Sequence, residues 1–236
     1  MRKFIYILFL LFIISCDESS DIISKSIEVS DFDQMYIEDI FDINLIQDTV
    51  SKIEIIAESD LIPEIKFTVD EKRILTISNN NTARWADNYN RPTLNISVDT
   101  LRSITLNSPS KIVSQNTILT HELIIVSKAE YSDINLNITC DNFYFACSET
   151  SGGNLNIEGT TNKFTVYQRG SYEIDTENFI ANYIFIEQNS IANCYIHVLK
   201  ELIIKILRSG NIYYKGDPYN IEYLNEKAKE QLITLD

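Results

Sequence analysis

A periodic pattern of apolar segments runs through the chain from Leu101 onward, with one segment about every ten residues. Alternate segments form two series, and within each series the centres recur about every 20 residues. A fixed internal period is typical of repeat proteins, in which each unit buries its apolar face by stacking on the next. The first series is centred on Ile104, Ile125, Tyr144, Thr165, Ile184 and Ile204, and the second on Ile112, Ile134, Leu155, Glu173, Ile196 and Tyr213. The pattern therefore predicts a β-solenoid with irregular coils of about 20 residues.

Short corners of small or polar residues follow the segments of the first series. They are residues 127–129, 151–153, 169–171, 188–190 and 209–211. Gly and Asn tolerate the left-handed backbone conformations that tight corners need. An antiparallel β-sandwich is the alternative fold, since it too has short strands separated by turns. Similar corners that recur in register with the strands favour the solenoid.

Residues 32–98 alternate apolar and polar side chains in short runs, which predicts half-buried strands. Residues 79–92 interrupt this alternation, are rich in Asn, and include the only tryptophan of the chain, so they are interpreted as a long loop. Arg84, Trp85, Tyr89 and Arg91 concentrate aromatic and basic side chains there. Exposed aromatic residues on a loop can stack on sugars or anchor a protein partner. These four residues are the candidate binding loop, although Trp85 could instead fold back onto the solenoid.

Residues 209–218 carry a family resemblance, through Ser209, Gly210, Asn211, Tyr213, Tyr214, Gly216 and Pro218. This segment resembles the closing motif of the head GIN domain family, described as auto-transporter adhesins and frequent in exported proteins of Bacteroidetes-type bacteria. The resemblance extends over most of residues 32–225. It implies a right-handed, parallel β-helix-like fold, with a structural role for the motif and no established activity. The corners at 127–129 and 188–190 depart from the family pattern because they contain no glycine.

The first residues have the features of a lipoprotein export signal. Arg2 and Lys3 precede an apolar run, residues 4–14, that is about half the roughly 20 residues needed to cross a bilayer as a helix. Ser15 and Cys16 end a segment that resembles the bacterial lipobox, and the resemblance implies lipid on Cys16. We expect residues 1–15 to be a signal peptide, 16–30 the lipidated cysteine with a flexible tether, and 31–236 a solenoid domain. The lipid would hold the protein on a membrane, with the outer membrane as the expected location.

Catalytic and metal-binding patterns are missing from the sequence. His121 and His197 lie far apart, and no zinc-protease, nucleophile-elbow or phosphate-loop motif is present. Cys140, Cys147 and Cys194 show no zinc spacing, and Cys147 lies in an alternating run that predicts a buried core position. We expect no cofactor and no catalytic residue.

A formal net charge of −14 disfavours nucleic acid as a partner. The sequence therefore favours a non-catalytic, lipid-anchored envelope protein that binds a glycan or a cell-surface protein. A glycan-active β-helix enzyme and a structural or regulatory envelope component are the alternatives. The oligomeric state is left open.

Two further features concern the surface and the end of the solenoid. Asn135 and Asn137 precede Asn154 and Asn156 by about one coil, so their amides either stack along the solenoid or simply alternate outward. Beyond Pro218 the apolar positions fit one face of a helix, but they also continue the ten-residue pattern. We expect strands there, which would cover an end of the solenoid.

Overall fold

The computed structural model describes residues 21–80 and 90–235, and these residues form a solenoid of about seven turns. Its strands are β1 (Ile22–Glu28), β2 (Gln34–Ile37), β3 (Asp42–Gln47), β4 (Lys52–Glu58), β5 (Ile65–Val69), β6 (Ile74–Asn79), β7 (Thr93–Val98), β8 (Ser103–Leu106), β9 (Ser110–Ser114), β10 (Ile118–Ser127), β11 (Ser132–Cys147), β12 (Gly152–Gln168), β13 (Ser171–Gln188), β14 (Cys194–Ile206), β15 (Ile212–Lys215), β16 (Asn220–Tyr223) and β17 (Leu232–Thr234). A 3-10 turn (Ile62–Glu64) and a helix, α1 (Glu226–Gln231), complete the described elements.

Parallel stacking of successive coils confirms the predicted solenoid, and the sandwich alternative is wrong. Strand β8 pairs in parallel with β10, strand β9 pairs in parallel with β11, and from β10 to β14 each strand pairs in parallel with the next one. One column of register partners along the stack is fully buried and consists of Ile104, Ile125, Phe145, Val166, Ile186 and Ile204. A second buried column consists of Ile112, Ile134, Leu155, Ile174, Cys194 and Ile212. Because each residue packs on its equivalent one coil away, the core is continuous along the axis.

The long strands bend from one side of the solenoid to another. In β11 every second residue is buried up to Cys140, and the next buried residue is Phe143. The alternation therefore shifts by one position at this point, which turns the chain while apolar side chains keep facing inward. The two segments of each long strand consequently belong to two different outer faces.

Aromatic rings fill the interior at these bends. The rings of Phe143 and Phe164 stack with centroids 5.3 Å apart, and the ring of Phe179 meets both edge-on. Such pairs stabilise a core by about 0.5–1.5 kcal/mol each beyond the burial of their area. The successive coils are thereby locked to one another.

The order of the coils differs from the order of the chain at the amino-terminal end. Strand β2 lies between β6 and β8, and β3 lies between β7 and β9, all in parallel. The first coil of the chain is thus inserted between two later ones. Antiparallel strands finish this end: β5 pairs with β6, β4 pairs with β7, and β1 pairs with β4.

Two sequence interpretations change with the structure. Residues 22–28 were expected within the flexible tether, but they form β1, because its backbone pairs with β4 along the whole strand. The expected strands after Pro218 are present as β16 and β17, which pair with β14 and β15. The short helix α1 lies between them, so this segment contains both kinds of structure.

Candidate functional site

The candidate binding loop lies mostly outside the described residues. Arg84, Trp85 and Tyr89 belong to the range 81–89, and Cys16 likewise lies outside the described part of the chain. Arg91 is described, and its guanidinium Nη1 lies 3.8 Å from Oδ1 of Asp42. Both side chains are more than a third exposed, so this ion pair contributes little to stability.

The closing motif of residues 209–218 forms a corner and the strand β15. Gly210 approaches the previous coil so closely that an added Cβ would lie 2.1 Å from the backbone oxygen of Ala192. Tyr213 stacks on Tyr195 of that coil, with ring centroids 4.9 Å apart and planes inclined by 10°. The backbone nitrogen of Asn211 donates to Asn193 at 3.0 Å. Within the fold, this motif attaches one coil to the coil before it.

Asparagine side chains form hydrogen-bonded stacks on one outer side of the solenoid. Asn95 donates to Glu54 at 2.7 Å, and Asn44 donates to Asn95 at 2.8 Å. Further along, Asn156 donates to Asn135 at 2.7 Å. Of the two alternatives for these asparagines, stacking of amides is present, but Asn135 lies in register with Asn156 and not with Asn154. We call this side the amide face, defined by Asn44, Asn95, Asn135, Asn154 and Asn156.

Carboxylates extend the amide face toward the carboxy-terminal end. Glu173, Asp175 and Glu177 alternate along β13 and line, together with Tyr195, a depression of about 310 Å³. The ammonium group of Lys215 forms an ion pair with Glu177. This part of the face is acidic and opposes the approach of anionic ligands.

A second outer side carries half-buried apolar and aromatic side chains in successive coils. We call it the aromatic face, defined by Ile124, Val126, Tyr144, Ala146, Tyr167, Phe185 and Ile203, which alternate with core residues. The rings of Tyr144 and Tyr167 lie 5.7 Å apart and are tilted by 42°, and those of Tyr167 and Phe185 lie 5.5 Å apart. Partly exposed rings on a rigid sheet offer contact area at little cost in conformational entropy.

A surface cavity lies at one end of this face. We call it the tyrosine groove; it has a volume of about 550 Å³, and its lining includes Val126, Lys128, Tyr144, Ala146, Tyr167 and Arg169. Ala146 lies two residues after Tyr144 on β11, and its register partners are Val126 and Tyr167. Its small side chain therefore leaves room beside the two tyrosines. Sequence reasoning missed this groove. One signal for the groove was present in the sequence, because Lys128 and Arg169 occupy equivalent corners two coils apart.

The three described cysteines are buried and free. Cys147 is a core residue, as its alternating run predicts, and Cys140 and Cys194 are buried as well. Burial raises the pKa of the thiol of Cys147 and of Cys194. The thiol of Cys194 donates to Oε1 of Gln168 at 2.8 Å inside the corner. These thiols have the character of structural groups rather than reactive ones.

The two histidines lie apart from the tyrosine groove and from each other. Nδ1 of His121 lies 2.6 Å from Oδ2 of Asp141, and both side chains are mostly exposed. Nδ1 of His197 lies 3.3 Å from the backbone oxygen of Glu177. Within residues 21–80 and 90–235, no three His, Cys, Asp or Glu side chains are placed to hold a metal ion.

These features define a class: a parallel β-solenoid with a capped amino-terminal end, one amide-rich face and one aromatic face. The chain belongs to the head GIN domain family. The family model described as "Putative auto-transporter adhesin, head GIN domain" matches residues 31–218, which confirms the resemblance predicted from the closing motif. No curated protein matches the sequence.

Solved structures from Bacteroides and Parabacteroides species share the fold. A "putative adhesin" from Bacteroides fragilis is 18% identical, with a TM-score of 0.79 over 92% of this chain and 95% of that chain. A "putative adhesin" from Parabacteroides distasonis is 16% identical, with a TM-score of 0.66 over 92% and 98%. A "putative lipid binding protein" from the same species is 15% identical, with a TM-score of 0.60 over 92% and 98%. Within the described part of the present chain, no helix has the length and apolarity to cross a membrane.

Proposed function

We propose that this protein is a non-catalytic binding module of the cell envelope, anchored by lipid on Cys16, which engages its ligand through the aromatic face. The observation that carries the proposal is the aromatic face itself, where partly exposed rings repeat over neighbouring coils of a rigid sheet. Aromatic residues are enriched in binding surfaces because a rigid ring gives a large contact area. The names of the family and of its structural neighbours support a binding role in the cell envelope or at the cell surface.

Anchoring at Cys16 would fix the orientation of the solenoid. Strand β1 begins at Ile22, so the backbone between these two residues spans at most about 20 Å when extended. The end that carries β1 would therefore lie close to the membrane. The aromatic face, whose residues belong to β10–β14, would lie further from it. This arrangement suits contact with molecules outside the bilayer.

Fractionation of cells tests the anchor. Replacement of Cys16 by Ser removes the thiol that would carry the lipid, so we expect the protein to leave the detergent-extracted membrane fraction. Replacement of Ser19 by Ala is the matched control and should leave the protein in that fraction. Protease treatment of intact cells then separates surface exposure from a periplasmic location. Unchanged membrane association of the Cys16→Ser variant would contradict lipid anchoring.

Binding is tested with the chain from Asp17 onward, which keeps every described element. We expect it to retain ligand from a glycan array or from fractionated cell surfaces. The double variant Tyr144→Ser/Tyr167→Ser should lose at least about tenfold in affinity, because ring contacts of this kind dominate binding surfaces. Tyr195→Ser on the amide face is the matched control. Equal retention by the double variant and the control would reject the aromatic face as the binding surface.

Results of two further experiments would replace the proposal. Release of shortened products from a polysaccharide would indicate an enzyme. A deletion strain with altered membrane stress and normal adhesion would indicate a structural or regulatory component.

The candidate loop is tested separately, since Trp85→Ala and Tyr89→Ala should weaken binding only if those side chains contact the ligand.

A further inference from the structure

The tyrosine groove carries an excess of positive charge in an acidic protein. The chain has 34 acidic and 20 basic residues, yet the groove is lined by two cations, Lys128 and Arg169, and by one carboxylate, Glu149. Within residues 21–80 and 90–235, neither cation has a carboxylate within ion-pair distance. By contrast, Lys205 pairs with Glu187 at 3.1 Å on the same face. Two unpaired cations beside aromatic rings indicate a site for an anionic ligand.

The register of the coils sets the distance between the two cations. Ser127, Cys147 and Gln168 are successive register partners, and Lys128 and Arg169 follow the first and the last of them. Neighbouring strands lie about 4.8 Å apart, and Lys128 and Arg169 are two strands apart, so their Cα atoms are separated by about 10 Å. The side chains of Tyr144 and Tyr167 lie beside this gap. A single sugar ring and its acidic group fit this spacing.

The backbone around the groove has no free hydrogen-bonding edge. Strand β11 is paired on one side with β10 and on the other with β12, and β12 is paired further with β13. An extended peptide recognised by strand addition needs an unpaired edge. Recognition here must therefore come from side chains: ring surfaces, the hydroxyl of Ser148 and the two cations.

We propose that the tyrosine groove binds a carboxylated glycan. The C–H face of a pyranose ring packs on Tyr144 and Tyr167, and the carboxylate lies between Lys128 and Arg169. This inference rests on the proposed binding function and names the ligand class for the same face. A nucleic acid is disfavoured because the acidic surface beyond the groove repels a continuous polyanion.

The test compares charged glycans with their neutral counterparts. The chain from Asp17 onward is titrated with oligogalacturonate, sialylated oligosaccharides and sulfated oligosaccharides, each beside the matched uncharged sugar. We expect at least one carboxylated member to bind at least about tenfold more tightly than its neutral or methyl-esterified form. The preference should decrease as salt is raised, because salt screens the attraction between exposed charges.

Variants at the rim of the tyrosine groove test whether the preference for charged sugars arises there. Lys128→Ala and Arg169→Ala remove exposed side chains and should each weaken binding of the carboxylated sugar about tenfold. Neither change should affect the affinity for the neutral form. Lys111→Ala is the matched control, since Lys111 is an exposed lysine of β9 next to the amide face. It should leave both affinities unchanged.

Each remaining outcome overturns the inference, and only the last of them also overturns the proposed function. Preferential binding of sulfated sugars would reject the carboxylate as the recognised group. Equal binding of neutral and carboxylated sugars, or capture of a protein alone, would reject an acidic glycan while retaining a binding module if Tyr144 and Tyr167 are still required. If no tested molecule binds, both the inference and the proposed function are overturned.

Discussion

The hydroxyl oxygens of Tyr172 and Ser127 lie 2.7 Å apart in a fully buried hydrogen bond. Tyr172 belongs to β13 and Ser127 to β10, so the bond joins coils that are distant along the chain. Buried polar groups are costly when they lose their partner, and this bond satisfies both hydroxyls at a corner of the solenoid. The corner is therefore held by specific polar contacts as well as by apolar packing.

Replacement of Tyr172 by Phe should destabilise the fold by about 1 kcal/mol. The ring that packs against Phe145 remains, but the hydroxyl of Ser127 loses its partner. Urea denaturation at neutral pH measures the change in the free energy of unfolding. Tyr195→Phe, at a half-buried outward position, should change it by less than about 0.5 kcal/mol. Equal stabilities of the two variants would show that the buried bond contributes nothing.

Stability should decrease in alkaline solution as Tyr172 is forced to ionise. Burial raises the pKa of Tyr172 to about 12 in the folded protein, with Cys147 and Asp133 among the nearby groups that favour its neutral form. A tyrosine in the unfolded chain titrates near 10, so the stabilisation is complete below about pH 10 and is lost between about 10 and 12. The loss amounts to about 3 kcal/mol.

The Tyr172→Phe variant separates the contribution of Tyr172 to the loss of stability at high pH from the contributions of other ionisable groups. The raised pKa of Cys147 and of Cys194 also makes stability decrease at high pH, but those thiols are unchanged in the variant. We expect the variant to show a shallower decrease between about pH 10 and 12. Urea denaturation across this range provides the measurement. Identical slopes for both proteins would contradict a raised pKa of Tyr172.

The periodic pattern predicted the stacking of the coils because neighbouring coils are neighbours in sequence. The predicted centres Ile104, Ile125 and Ile204 share one buried column, and the centres Tyr144 and Thr165 precede members of that column, Phe145 and Val166, by one residue. Buried apolar residues recur once per coil, so their spacing can be counted along the chain. Stacking of amides, one of the two alternatives for the asparagines, follows from the same spacing, although the observed pair is Asn135 and Asn156 and not Asn135 and Asn154.

The pairing at the amino-terminal end and the tyrosine groove were not predictable in this way. Strand β2 pairs with β6 and β8, which are separated from it by segments of unequal length and leave no period in the sequence. Strand β1 lies in residues 17–30, whose polar and acidic composition resembles a tether, and only its pairing with β4 makes it a strand. The tyrosine groove forms where particular outward side chains share a corner. Predicting those side chains requires the register between β11 and β12, which the sequence does not show.

Replacement of Asn156 by Asp should destabilise the amide face by about 1 kcal/mol. The amide nitrogen that donates to Asn135 is lost, and a new carboxylate faces Asp175, its register partner in β13. Asn156→Ala removes the hydrogen bond without adding charge and serves as the control. The difference between the two variants should shrink in high salt, since the repulsion is partly exposed. A difference that does not depend on salt would contradict the charge argument.

Replacement of Gly153 by Ala should destabilise the fold by about 3 kcal/mol. Its backbone φ of 130° is unfavourable for a residue with a side chain, and an added Cβ would lie 1.9 Å from the backbone oxygen of Ser132. Gly152→Ala is the matched control, because its Cβ would meet the hydroxyl of Ser171, an exposed side chain that can rotate away. Thermal unfolding measures the stability of both variants. Similar melting temperatures for the two variants would show that the corner adapts.

The buried thiols should resist modification in the native protein. Cys140, Cys147 and Cys194 are free, and burial raises the pKa of each thiol, so little thiolate is present at neutral pH. In the chain from Asp17 onward, Ellman's reagent should therefore react slowly at pH 8 and with all three thiols once guanidinium unfolds the protein. Thr150→Cys places a thiol at an exposed corner and should add one group that reacts at once. Rapid native reaction of the parent chain, or fewer than three thiols after unfolding, would contradict buried free cysteines.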